Sequence, residues 1–233
     1  MNNLSIPLAF IFDMDGTIVR NHEYHLNAWK LFCQYHHLTT TDEELLSLFG
    51  GKNDDIFRKL FDHKLSQEEV NQLEEEKESL YRSLYRPHIK EVEGLRDLLK
   101  QLFIAQIPTA LATSAPTLNV NMILNALNIH EYFSCLIDAN MVTHGKPHPE
   151  IFLKAAECLR EEPQNCIVFE DSRVGIEAAK KAGCKVVVVK SPFTNEEFPE
   201  ADFLIDDFRD PRIQNLIKLA LSKKREMQGP KTE

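Results

Sequence analysis

The chain has 233 residues, with 27 Lys and Arg against 36 Asp and Glu, for a formal net charge of −9. Hydrophobic residues at 43% and charged residues at 27% describe a soluble globular protein with enough apolar surface for one large domain or two small ones. The acidic balance excludes a nucleic-acid binder that relies on a basic field and disfavours an anionic membrane surface. A phosphate-bearing small molecule stays open, because it needs only a local positive patch.

No apolar run approaches the ~20 residues of a transmembrane helix. The stretch from Met1 to Pro7 lacks the basic-then-apolar pattern of a signal peptide. The expectation is a cytoplasmic monomer. Cys33, Cys135, Cys158, Cys166 and Cys184 are widely spaced and form no CxxC pair. Free, reduced and mostly buried thiols are therefore expected, with neither a zinc site nor a disulfide framework.

In chain order, residues 8–12 form a continuous apolar run that ends at Asp13. From Arg20 to Pro87 no buried strand is evident. Four helical patterns fill that interval, over His22–Tyr35, 41–48, 54–61 and Gln67–Tyr85. They read as a helical domain inserted after the first strand, with Trp29 in its core. The last pattern is rich in Glu and Lys and reads as an exposed helix with a narrow apolar stripe, with Glu74, Glu75 and Glu76 on its solvated face.

Beyond it, strand and helix patterns alternate. Residues 94–103 place Leu95, Leu98, Leu99 and Leu102 on one helical face. Residues 107–112 are strand-like and end at Thr113. Thr117–Leu127 is helical, Cys135–Ile137 strand-like, and 149–159 helical. Residues 166–169 are strand-like and end at Glu170-Asp171. A helix over 174–182 stops at Gly183. Strands follow at 186–189 and Phe203–Ile205, and 223–233 reads as a frayed polar tail. Apolar runs without polar alternation mark strands buried on both faces. The prediction is a Rossmann-like three-layer α/β/α core with a parallel sheet, built from 1–18 and 89–233, and an inserted α-helical cap over 19–88.

Four polar groups sit at or near strand ends, which converge on the ligand crevice of such a sheet. In Asp13-Met14-Asp15-Gly16-Thr17, one carboxylate can attack while the other moves a proton; a plain Asp-Gly turn is the structural alternative. Thr113-Ser114 offers hydroxyls and backbone N–H groups to an anion, or simply caps a helix. Gly145-Lys146-Pro147-His148-Pro149 holds a Lys on a stiff loop. Glu170-Asp171-Ser172 provides hard oxygen ligands that suit Mg2+, or a helix cap.

Together these motifs are similar to the four signatures of the haloacid dehalogenase superfamily of phosphotransferases. The insert directly after the first motif matches the members with a helical cap. Glu23-Tyr24-His25-Leu26-Asn27-Ala28-Trp29 further resembles the β-phosphoglucomutase-like branch and its sugar-phosphate phosphatases. The resemblance implies Asp13 as nucleophile and Asp15 as general acid and base. It implies Mg2+ held by Asp13, the Asp15 backbone carbonyl and Asp171, with Glu170 supporting the metal shell. Thr113, Ser114 and Lys146 would bind the phosphoryl group. His25, at the hinge into the cap, and Lys77, on the last cap helix, would meet the substrate.

Departures bear on the reaction. Where the mutases carry a cap Arg for a second phosphate, this chain has Asn53, with Lys52 beside it. Where they carry a Lys-Asn pair after the strand-end hydroxyl, it has Pro116-Thr117. Hydrolysis of small phosphate esters, sugar phosphates foremost, is therefore favoured over isomerisation. Pyrophosphate as substrate and noncatalytic binding of a phosphorylated ligand are further alternatives. Dehalogenation is disfavoured, since it requires neither Asp15 nor the metal ligands.

Overall fold

The computed structural model describes residues 7–61, 65–191 and 198–228. Six parallel strands, β1 (Ala9–Phe12), β2 (Thr109–Ala112), β3 (Cys135–Ile137), β4 (Cys166–Glu170), β5 (Lys185–Val189) and β6 (Phe203–Ile205), form one sheet in the order β3-β2-β1-β4-β5-β6. Helices α1 (His22–Tyr35), α2 (Asp42–Ser47), α3 (Asn53–Leu60) and α4 (Gln67–Tyr85) lie between β1 and the rest of the sheet's sequence. Then come α5 (Leu95–Ile104), α6 (Thr117–Leu127), α7 (Glu150–Cys158), α8 (Arg173–Ala182) and α9 (Pro211–Gln228).

The strands alternate their side chains between two apolar layers. Phe10, Phe12, Phe169 and Val187 pack with α5, α6 and α9 on one face. Ile11, Ala110, Val168 and Val186 pack with α7 and α8 on the other. Such double coverage is why the strand sequences run apolar without a break. Leu26, Trp29, Phe32, Leu45, Ile56, Phe57 and Val70 build a third cluster inside the helical segment.

The strand order reverses between β1 and β4, which is where an open parallel sheet leaves its crevice. Register fixes what stands there. Phe12 pairs with Phe169, and their rings stack at 4.8 Å. Asp13 and Glu170 are the next residues, so they leave the sheet side by side.

Three expectations need correction. Cys135 and Cys158 form a disulfide, with their Cα atoms 6.3 Å apart. They meet because α7 packs on β3, a tertiary proximity that a spacing of 23 residues does not signal; Cys33, Cys166 and Cys184 are free and buried. Residues 223–228 continue α9 instead of fraying. The signal for that helix was present, since Ile213, Leu216, Ile217 and Ala220 follow helical spacing and all are buried. The rest of the expected tail, 229–233, and the first six residues lie outside the described residues. The third correction concerns α4, which is not simply solvated: Lys77 and Glu78 are buried and Glu74 is half-buried, while Glu75 and Glu76 face solvent. Among the described residues, no helix is long and apolar enough to cross a membrane.

Candidate active site

β1 delivers Asp13 into the crevice, where it is buried. Its backbone N–H donates to Phe169 O at 2.9 Å, continuing the sheet ladder. Lys146 reaches in from the loop between β3 and α7 and is itself buried. Its Nζ donates to Asp13 Oδ1 at 2.6 Å and to Glu170 Oε1 at 2.5 Å.

Glu170 is held on every side. Its Oε2 accepts from the Asp171 and Ser172 backbone N–H groups, each at 2.7 Å, and from Ser172 Oγ at 3.0 Å. A carboxylate just ahead of α8 also meets the positive end of the helix dipole. This packing explains Gly175, where a Cβ would fall 1.7 Å from Glu170 Oε1.

Asp171 is buried, with His22 Nε2 2.8 Å from its Oδ2 and Thr17 Oγ1 donating to its Oδ1 at 3.4 Å. Gly16 has φ +79, and a Cβ there would lie 2.1 Å from Asp171 Oδ2. Glycine serves both needs, the left-handed turn and the close approach.

Asp15 occupies a different environment. Asn21 Nδ2 donates to its Oδ1 at 2.6 Å, and His25 Nε2 stands 3.6 Å from its Oδ2. Asn21 also receives the Gly16 N–H and donates to Tyr81 Oη. The His25 ring stacks on Tyr81 at 3.7 Å, which fixes its plane.

The two aspartates are pushed apart. Burial drives Asp13 well above the usual carboxylate range; Lys146 opposes this, and Glu170, Asp171 and Asp15 add to it. Burial would also raise Asp15, but the charge and hydrogen bond of His25, the hydrogen bond of Asn21 and the charge of Lys77 outweigh it and hold Asp15 low. Divergent carboxyl groups in one pocket are what divided nucleophile and proton-transfer roles require.

Asp13, Glu170 and Asp171 each place one carboxylate oxygen within 4.8 Å of the others. Three buried carboxylates share one ammonium, Lys146, and one imidazole, His22 beside Asp171, which leaves an acidic excess. A hard, oxygen-only donor set with that imbalance fits Mg2+. It also accounts for the strained ionisation of Asp13, which an added divalent cation relieves.

The cavity above these groups is roofed by the helical segment. Thr113, whose Oγ1 accepts from the Ala115 N–H, lines it. Ser114 lines it too, but its Oγ donates to Gly50 O at 2.9 Å, across to the loop before α3. His25 and Lys77 face the same cavity, so all the expected side chains except Lys146 and Glu170 line it directly, and those two stand behind Asp13. Lys52 does not reach it; its Nζ donates to Val142 O at 3.0 Å on the outside. Trp29 belongs to the helical core and also forms part of the wall.

Reading by motif missed Asn21, His22, Glu78 and Asn119. For Glu78 and its neighbour Lys77 a signal existed. Val70, Lys77, Tyr81 and Tyr85 lie at spacings of seven, four and four, one buried stripe of α4. A charge on such a stripe needs a partner. Asn21 reads as the cap of α1, yet its side chain makes no cap bond and serves Asp15 instead.

The model of haloacid dehalogenase-like hydrolases matches residues 10–189. The chain belongs to that family. It is 31% identical over 204 residues to validoxylamine A 7'-phosphate phosphatase from Streptomyces hygroscopicus subsp. limoneus, covering 87% of this chain and 94% of that one. Its fold matches β-phosphoglucomutase from Clostridium difficile with a TM-score of 0.80 at 29% identity, over 91% of this hydrolase and 98% of the other chain. A CbbY mutant from Rhodobacter sphaeroides, solved with xylulose-1,5-bisphosphate, matches with a TM-score of 0.78 at 25% identity, over 88% and 96% of the two chains.

Proposed function

We propose that this family hydrolase is a Mg2+-dependent phosphatase of small phosphate esters, sugar phosphates foremost, working through a phosphoryl-aspartate at Asp13. The observation that carries the reading is the buried Asp13–Lys146–Glu170 cluster at the β1/β4 crevice, with Asp15 beside it in a separate hydrogen-bonded setting.

In the first step an Asp13 oxygen forms a bond to phosphorus, the ester P–O bond breaks, and Asp15 gives its proton to the departing alcohol oxygen. The negative charge of the bound phosphate raises Asp15 toward the protonated form this step needs. In the second step Asp15, now ionised, takes a proton from water. The water oxygen bonds to phosphorus, and the Asp13 carboxylate leaves. Thr113 and Lys146 position the phosphoryl oxygens, and Lys146 separates their charge from Asp13. The Asp13 and Asp171 carboxylates and the Asp15 carbonyl would hold Mg2+, which would supply charge neutralisation. Helices α1 to α4 act as the cap that keeps bulk water out.

The likeness to a β-phosphoglucomutase makes isomerisation the reading to test against. Asn53 and Pro116-Thr117, at positions where a second phosphate would be held, favour hydrolysis. Purified protein with Mg2+ is expected to release phosphate from a panel of hexose monophosphates, faster than from pyrophosphate. Conversion of β-glucose 1-phosphate to glucose 6-phosphate without phosphate release overturns the hydrolase reading.

A further inference from the structure

The far wall of the cavity is built around a buried ion pair. Lys77 Nζ lies 2.7 Å from Glu78 Oε1, and both side chains are almost wholly buried. Asn53 Nδ2 donates to the same oxygen at 2.8 Å, and Asn119 Nδ2 donates to Oε2 at 2.5 Å. Asn119 is fixed in turn by Arg82, which donates to its Oδ1 at 3.2 Å. Residues from α3, α4 and α6 thus converge on one carboxylate. Burial alone would raise the Glu78 carboxyl, but the charges of Lys77 and His25 and the hydrogen bonds of Lys77 and Asn119 outweigh it and hold it below the usual range.

Two properties follow. The first is a spare acceptor. The Lys77 ammonium meets Glu78 and, at 3.1 Å, His25 Nδ1, and it stands 4.8 Å from the centre of the Trp29 ring. Glu78 Oε2 takes one hydrogen bond where it has room for two. A carboxylate oxygen with an open lone pair, held beside an ammonium, is what a sugar hydroxyl recognises. The second property is charge balance. Among the described residues lining the cavity, Lys77 is the one Lys or Arg, and Glu78 cancels it. Distance agrees: the pair is separated from Asp15 by a single imidazole ring, that of His25.

We propose that the Lys77–Glu78 pair, set by Asn53 and Asn119, binds the hydroxyls of a polyol monophosphate and excludes substrates that carry a second phosphate. A distal phosphate would meet the Glu78 carboxylate with no unpaired cation to receive it, so rejection is built from repulsion as well as from missing contacts. This rests on the phosphatase reading and narrows it to singly phosphorylated polyols.

The test compares kcat/KM for a hexose monophosphate, the matching hexose bisphosphate and an aryl phosphate without hydroxyls, in the wild-type protein and in Glu78→Gln. The wild type is expected to prefer the monophosphate to the bisphosphate by ~10-fold or more. In Glu78→Gln that preference narrows, and the hexose-to-aryl ratio falls by ~10-fold. Ratios within one protein are insensitive to partial misfolding, and the wild-type preference needs no variant. Equal turnover of monophosphate and bisphosphate by the wild type, or a hexose-to-aryl ratio that stays within about twofold in the variant, overturns the inference while phosphate release still upholds the phosphatase. Release from none of the three esters overturns both.

Discussion

Two buried lysines flank the cavity, Lys77 in its wall and Lys146 behind Asp13, and their surroundings differ in one respect. Lys146 stands among Asp13, Glu170 and Asp171, three carboxylates served by this one ammonium and by the His22 imidazole. Lys77 stands against one carboxylate, Glu78, and the His25 ring, with two amides completing the Glu78 shell. The first wall is poised to take up positive charge, and the second is already neutral. Both belong to one acidic protein, so net charge says little about what each wall can bind. Placement of charge on the strand ends and on one helix stripe decides it.

The largest effect expected from breaking this asymmetry is at Asp13. Asp13→Asn removes the oxygen proposed to attack phosphorus and is expected to lower kcat by at least ~10³-fold. The same change removes a carboxyl that burial has strained, so the metal-free protein should not lose stability. Phosphate-release kinetics and urea unfolding of one preparation check both halves. Residual turnover within tenfold of the wild type would remove Asp13 from the chemistry.

Next in size is the contrast between the lysines themselves. Lys146→Met leaves Asp13 and Glu170 buried without their shared cation and is expected to cost about 3–5 kcal/mol of unfolding free energy in metal-free buffer. Lys77→Met leaves Glu78 with the amides of Asn53 and Asn119, and about 1–3 kcal/mol is expected there. Urea denaturation of the two variants side by side is the measurement. Equal losses would mean that the two walls are alike in charge balance.

How far the sequence foretold these walls differs as well. The strand ends were legible because each polar motif closes an apolar run, and parallel strands bring their ends together whatever the loops do. Asp13, Thr113 and Glu170-Asp171 could be placed in one crevice on that ground alone. The neutral wall was not legible as a unit. Asn53, Lys77, Glu78 and Asn119 come from three helices whose packing no local pattern fixes, and a Glu-rich helix reads as solvated until its buried stripe is traced. The Cys135–Cys158 disulfide was missed for the same reason, being a contact between a helix and a strand. Helix α9 was missed differently: its periodicity was present, but the polar residues at its end drew it into the tail.

The smallest expected effect probes the acidic wall through pH. In the metal-free protein Asp13 has its carboxyl raised by burial, so folding favours its protonated form. That contribution is fully present below the ordinary carboxylate pKa and is lost as pH rises through the raised folded value. Asp15 and Glu78 are shifted down; their contributions hold above the ordinary value and fade only as pH falls below it. Between pH 5 and 7.5 the raised groups, Asp13 and His22, favour the lower pH, while His25, which burial and Lys77 shift down, favours the higher; the Asp13 part weakens the metal-free fold toward pH 7.5. Mg2+ binds the ionised carboxylates and should offset that weakening, raising the melting temperature by ~5–10 °C at pH 7.5 when present at about 100 times its Kd, and by less at pH 5. Thermal unfolding with and without Mg2+ at the two pH values checks it. A metal-induced shift as large at pH 5 as at pH 7.5 would mean that the ion does not draw on the strained carboxylate, and the acidic wall would lose its claim to be the metal site.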